Sequence, residues 1–270
     1  MSSSPINPPI VELGPWLDTP AGRYLSAWEM SQYDAAVGDV FGYHALQIGL
    51  PEMDCLRANR MPFKGFVGES PAPAKLHYRW SAVAVADSEE LPFESQSLDL
   101  VVLPHALEMS PDPHQVLREA ERVLIPEGRL VITGFNPWSL WGLRQKVQGQ
   151  PSFLPDHEQI LPLTRLKDWL TLLSFELDRG RFGCYRPLCR TEKWLDRYAF
   201  MEKAGDRWWP VCGAVYAVSA VKRVAGMRLI APAWKQRKSA RRAGMVATPK
   251  LGDAQVVRPN LHNMHVKDSE

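Results

Sequence analysis

Apolar positions along the chain alternate between two rhythms. Short apolar or β-branched runs read as strands: "YHALQIG" at 43–49, "FKGFVGES" at 63–70, "WSAVAVAD" at 80–87, "SLDLVVLP" at 97–104, "RLVITGF" at 129–135, "FELDRGRF" at 175–182 and "GAVYAVSAVKR" at 213–223. Between them the period lengthens. In "DPHQVLREAERVL", Asp112 caps and Pro113 opens a helix, and Val116, Leu117, Ala120, Val123 and Leu124 form one apolar stripe. Arg118, Glu119, Glu121 and Arg122 are expected to face water, and "IPEG" stops the helix.

Other helices follow less regular patterns. Thr19-Pro20 starts a helical segment in which Leu25, Trp28 and Ala35 are unevenly spaced, so residues 20–41 read as one broken helix or two. Thr164 is expected to cap a helix that turns Leu166, Trp169, Leu170 and Leu173 inward, and "TEKWLDRYAFMEKAGDRWW" reads as an aromatic helical insert. From about Pro232 the composition becomes basic and polar with little periodicity. The organisation expected is an N-terminal helical segment at 1–42, a main domain at 43–231 with an insert near 188–209, and a basic, disordered tail at 232–270. Strands alternating with helices predict an α/β fold with a mainly parallel sheet, in which ligands sit beyond the carboxyl ends of the strands.

Composition adds boundaries. The chain has 270 residues, 45% hydrophobic and 23% charged, with a net charge of +2, so there is no global commitment to nucleic acid. No Asp or Glu occurs from Arg207 to Gly252, where nine lysines and arginines follow from Lys222 onward. "MSSSPINPPI" lacks the charged and apolar regions of a secretory leader, and no run is long enough to span a membrane. The four cysteines, Cys55, Cys184, Cys189 and Cys212, form no C-x-x-C pair and are expected to be free thiols of a cytoplasmic protein. No zinc spacing, P-loop or Gly-x-Ser-x-Gly elbow is present, and no metal is expected.

One long stretch is more specific. "VADSEELPFESQSLDLVVLPHALEMSPDPHQVLREAERVLIPEGRLVITGFNP", residues 85–137, resembles the class I S-adenosylmethionine-dependent methyltransferases, and most closely the group called methyltransferase type 11. The shared pieces come in that family's order: an acid and then "LPF" (Asp87, Leu91, Pro92, Phe93), "LDLVV" with Asp99, "HALEMSPDP", and "LREAERVLIPEGRL". The resemblance implies a Rossmann-like, seven-stranded, mainly parallel sheet with helices on both faces and an antiparallel last pair. It also implies S-adenosyl-L-methionine as cofactor and transfer of its methyl group to an acceptor, a small molecule in preference to a macromolecule.

Carried over by position, the resemblance makes Asp87 the acid that accepts from the adenine amino group, with Ser88 beside it. Glu69 becomes the acid that holds the ribose hydroxyls. In the turn after the first strand Gly49 matches the first glycine of the family. Gln47 stands where the family has an acid, and Pro51 and Met53 stand where it has further glycines. Restoring an acid at Gln47 and a glycine at Pro51 is expected to raise cofactor affinity. His105, just after the fourth strand, is the candidate base if the acceptor must lose a proton, with a plain helix-entry histidine as the alternative. Asp99 reads as a strand-start residue, and Trp138 and Trp141 as either acceptor-pocket lining or core. "HNMH" at 262–265 reads as solvated. The rival to an enzyme is an inactive module of the same fold whose basic tail engages RNA or a protein partner.

Overall fold

In a computed structural model, residues 13–148, 160–189 and 191–224 are described. The basic tail and the "HNMH" motif lie outside them. Seven strands form one sheet in the order β3-β2-β1-β4-β5-β7-β6. They are β1 (His44–Ile48), β2 (Phe63–Gly68), β3 (Ala82–Val85), β4 (Leu98–Pro104), β5 (Leu124–Phe135), β6 (Phe175–Gly183) and β7 (Val215–Lys222). The first five are parallel, and β7 runs antiparallel to both β5 and β6.

Helices cover both faces. On one lie α1 (Leu13–Leu17) and α2 (Pro20–Val37), whose Leu25, Tyr33 and Val37 pack on Ala45, Leu100, Val102 and Val131 of the sheet. On the other, α3 (Ala106–Met109), α4 (Pro113–Val123) and α6 (Leu163–Leu172) close over Leu46, Val101, Leu103 and Ile132. The described helices are completed by α5 (Leu140–Gln148), α7 (Glu192–Arg197) and α8 (Phe200–Trp208), the last two forming the expected insert.

Several local expectations are met for identifiable reasons. Thr19 Oγ1 accepts from Gly22 N at 3.1 Å at the start of α2, although Pro20–Val37 is one unbroken helix and not the broken helix or pair expected over 20–41. Asp112 Oδ1 accepts from His114 N and Gln115 N, both at 3.1 Å, a cap worth about 1 kcal/mol. Asp99 Oδ2 accepts from Tyr43 N and His44 N at 2.9 Å, fixing the start of β1 against β4. Trp141 is core and donates to Arg186 O at 2.7 Å, whereas Trp138 is exposed.

Two expectations are corrected. Thr164 lies inside α6, which starts at Leu163 after Pro162. Glu119 does not face water: it is 9% exposed and accepts from Leu91 N at 2.9 Å. Arg122 pairs with it and donates to Phe93 O at 2.8 Å and Leu91 O at 3.0 Å. The Arg122 guanidinium holds the Glu119 carboxyl below its ordinary value. This clamp binds the "LPF" turn to α4, so the two most recognisable pieces of the sequence stretch are partners in space.

Candidate cofactor and active site

A cleft of about 430 Å³ opens beyond the carboxyl ends of β1, β2 and β3. Gly49, Glu69 and Ser88 line it, each lying just past one of these strands. Ala106 and Met109 of α3 close the side toward β4, and Leu13, Gly14 and Pro15 contribute from α1. Position follows from topology, since parallel strands aim successive loops at one edge of the sheet. Volume and lining suit a small-molecule ligand.

The turn after β1 takes two left-handed residues in succession, Gly49 at φ 78° and Leu50 at φ 49°. Glycine adopts that conformation without penalty, whereas leucine does so at a cost of about 1–2 kcal/mol. Gln47 holds the bend from within. Its Nε2 donates to Met53 O at 2.8 Å, Leu50 O at 3.1 Å and Gly49 O at 3.3 Å, and its Oε1 accepts from Cys55 N at 3.1 Å. Two amide hydrogens thus serve three carbonyls, and no donor is left over. Gln47 is fully buried and does not line the cleft. The structure thus places Gln47 behind the cleft and not on it: the residue shapes the loop whose Gly49, Leu50, Pro51 and Glu52 line the cleft. Among the described residues, no helix follows this loop before β2; residues 51–58 form turns.

Glu69 is exposed on the cleft wall, one residue past the end of β2. Asp87 is exposed between the lining residues Ala86 and Ser88, and its Oδ1 accepts from Glu89 N at 2.9 Å in a tight turn. Gly49 N donates to Val67 O at 2.8 Å, locking the first loop to β2.

His105 departs most from expectation. It is wholly buried, with φ 52°, at the junction of β4 and α3. Nδ1 lies 2.7 Å from Glu108 Oε2 and Nε2 lies 2.9 Å from Glu29 Oε1. Glu108 Oε1 in turn accepts from Phe135 N. Burial disfavours the charged imidazolium, but the two flanking carboxyl groups outweigh it and raise the pKa to about 10. The general base expected here is therefore corrected: both nitrogens are engaged and neither reaches the cleft. Sequence reading missed Glu29 and Glu108 as its partners. Glu108 at i+3 was a signal that could have found one; Glu29, 76 residues away, left none.

Among the described residues, no group of three or more His, Cys, Asp or Glu side chains is placed to hold a metal ion, and no helix is long and apolar enough to cross a membrane.

The strand order, the antiparallel β7 and a cleft at the ends of β1–β3 define the class I methyltransferase fold. Residues 69–132 match the family described as "Methyltransferase domain". The chain is 38% identical over 171 residues to the uncharacterized protein YafS of Escherichia coli K12, covering 62% of this chain and 67% of that one. It is 31% identical over 130 residues to the ubiquinone/menaquinone biosynthesis C-methyltransferase UbiE of Bartonella tribocorum, with 46% of this chain and 47% of that one covered. Its fold matches the protein solved in complex with the Trm112 methyltransferase activator of Haloferax volcanii, with a TM-score of 0.56 and 14% identity over 81% of this chain and 99% of that one. The chain belongs to the class I S-adenosylmethionine-dependent methyltransferases, in the methyltransferase type 11 group.

Proposed function

We propose that this protein binds S-adenosyl-L-methionine in the β1–β3 cleft and methylates a small-molecule acceptor that approaches from the Ala106–Met109 side. The observation that carries the reading is the placement of Gly49, Glu69 and Ser88 on one cleft, each within three residues of the end of a parallel strand. The residues suit the cofactor. Gly49 leaves open space, since an added Cβ there would meet nothing closer than Ala106 Cβ at 3.8 Å. Glu69 offers an exposed carboxylate for ribose hydroxyls, and Asp87 with Ser88 offers acceptors at the third strand for the adenine edge.

When bound, the cofactor supplies an electrophilic methyl group on a sulfonium. The residues of this chain supply position: the β1 turn and α3 hold the two reactants close and in line, an arrangement that can lower a barrier by several kcal/mol. His105 acts as a positioning residue, tying α2 to the start of α3 beneath the cleft. Likeness to a C-methyltransferase of quinone biosynthesis supports a small-molecule acceptor. The four free cysteines support a cytoplasmic setting.

Isothermal titration calorimetry with S-adenosylmethionine and S-adenosylhomocysteine tests the reading. Saturable binding of both is expected, and no heat from either at high protein concentration would reject it.

A further inference from the structure

We infer that Glu52 carries the negative charge that recognises the ammonium group of the cofactor's methionine portion, a role that rests on the methyltransferase reading above. The position where the family places that charge is held by Gln47, which is neutral and whose amide is spent on Gly49, Leu50, Met53 and Cys55. Five residues further on, Glu52 is exposed and lines the same cleft as Gly49 and Glu69.

Its surroundings hold the backbone of Glu52 and leave room for its carboxylate at the cleft wall. Glu52 packs against Gly14 of α1: a Cβ at that position would lie 2.6 Å from Glu52 Oε1 and 3.2 Å from Oε2, so the absence of a side chain there makes room for both oxygens. The backbone is pinned on either side. Arg79 Nη1 donates to Pro51 O and Glu52 O, both at 3.2 Å, while Gln47 Nε2 reaches Leu50 O and Met53 O from within the loop. Among the described residues, the Glu52 carboxylate has no hydrogen-bond or ion-pair partner of its own. A carboxylate on the wall of a cleft, with its backbone pinned by Arg79 and its own oxygens in no ion pair, complements a bound ammonium through a charge-assisted hydrogen bond. The chain would thus have moved the acid from the strand to the loop.

Two ligands separate this role from others. S-adenosylhomocysteine has the ammonium but no sulfonium; 5′-methylthioadenosine keeps adenosine and thioether but lacks the amino-acid portion. Titration of the wild type and Glu52→Gln with each should show about a tenfold loss for S-adenosylhomocysteine and no more than about a twofold change for 5′-methylthioadenosine. Unchanged S-adenosylhomocysteine affinity in the variant would overturn the assignment. So would an equal loss for both ligands, which would place Glu52 on the ribose or in loop stability. If the wild type binds neither ligand, the cofactor reading itself falls along with it, an outcome distinct from a variant that fails to discriminate.

Discussion

Glu29 Oε1 and His105 Nε2 lie 2.9 Å apart in the core, joining the middle of α2 to the end of β4 across 76 residues of sequence. The pair ties α2 to the sheet, and α1, packed in the same core cluster, also lines the cleft. Removing Glu29 leaves Nε2 of the buried ring without an acceptor while Glu108 still holds Nδ1, a lost hydrogen bond to a charged group that costs about 1.5–3 kcal/mol. Glu29→Ala should therefore lower the urea unfolding free energy by that order, and the loss should exceed that of Glu192→Ala, whose partner Arg23 is exposed.

The same cluster gives stability a pH dependence. His105 is raised from 6.5 to about 10 in the folded protein. Its contribution is therefore complete below about pH 6.5, where the unfolded imidazole is also protonated, and is lost as pH rises toward 10. Buried Cys55 and Cys184, whose thiols burial pushes up from 9.0, reduce stability only above that value, because the unfolded thiols ionise first. Urea midpoints measured between pH 6.5 and 8.5 should thus fall in the wild type and stay nearly level in His105→Gln.

Two acids should divide the cofactor between them. Glu69→Ala is expected to weaken S-adenosylhomocysteine binding by roughly tenfold or more, the worth of a hydrogen bond to a charged group. Asp87→Asn should weaken it less, because Oδ1 is already engaged with Glu89 N. Since both side chains are exposed, melting temperatures without ligand should hardly change. Calorimetry on the two variants, with thermal melts as control, checks the order. Loss at Asp87 larger than at Glu69 would reverse the assignment.

The fold was legible wherever pattern and packing agree. Strand alternation and the stripe on α4 arise from simple periods, and the order of "LPF", "LDLVV" and "LREAERVL" matched a known arrangement because Glu119 and Arg122 clamp the first piece to the third. Reading was poorer in α2. Among the residues that turn inward, Leu25, Glu29, Tyr33 and Val37 are spaced by four, so a carboxyl group sits on the apolar stripe and breaks its hydrophobic rhythm. A charge buried through a tertiary partner cannot be read from local spacing. Gly49, Glu69 and Ser88 share one cleft because loops after parallel strands converge at one edge of the sheet, and strand ends are predictable. Gln47 as a cofactor contact and His105 as a base follow from their positions near strand ends, yet their hydrogen bonds point inward.

The inward bonds of Gln47 reverse one expectation from sequence. An acid there matches the family, but here the side-chain nitrogen donates to three carbonyls, those of Gly49, Leu50 and Met53. Gln47→Glu would replace that donor with an oxygen, set a carboxyl group against three acceptors and release the left-handed bend at Leu50. Leaving a buried acceptor unsatisfied costs about 1–3 kcal/mol, so a total loss of about 3 kcal/mol is expected, with weaker binding of S-adenosylhomocysteine. Pairing the change with Pro51→Gly should not rescue it, because the carbonyls, and not the proline ring, are what the glutamine satisfies. Urea unfolding and calorimetry on the single and double variants check this; tighter binding in either would show that the loop can open and accept the family's arrangement.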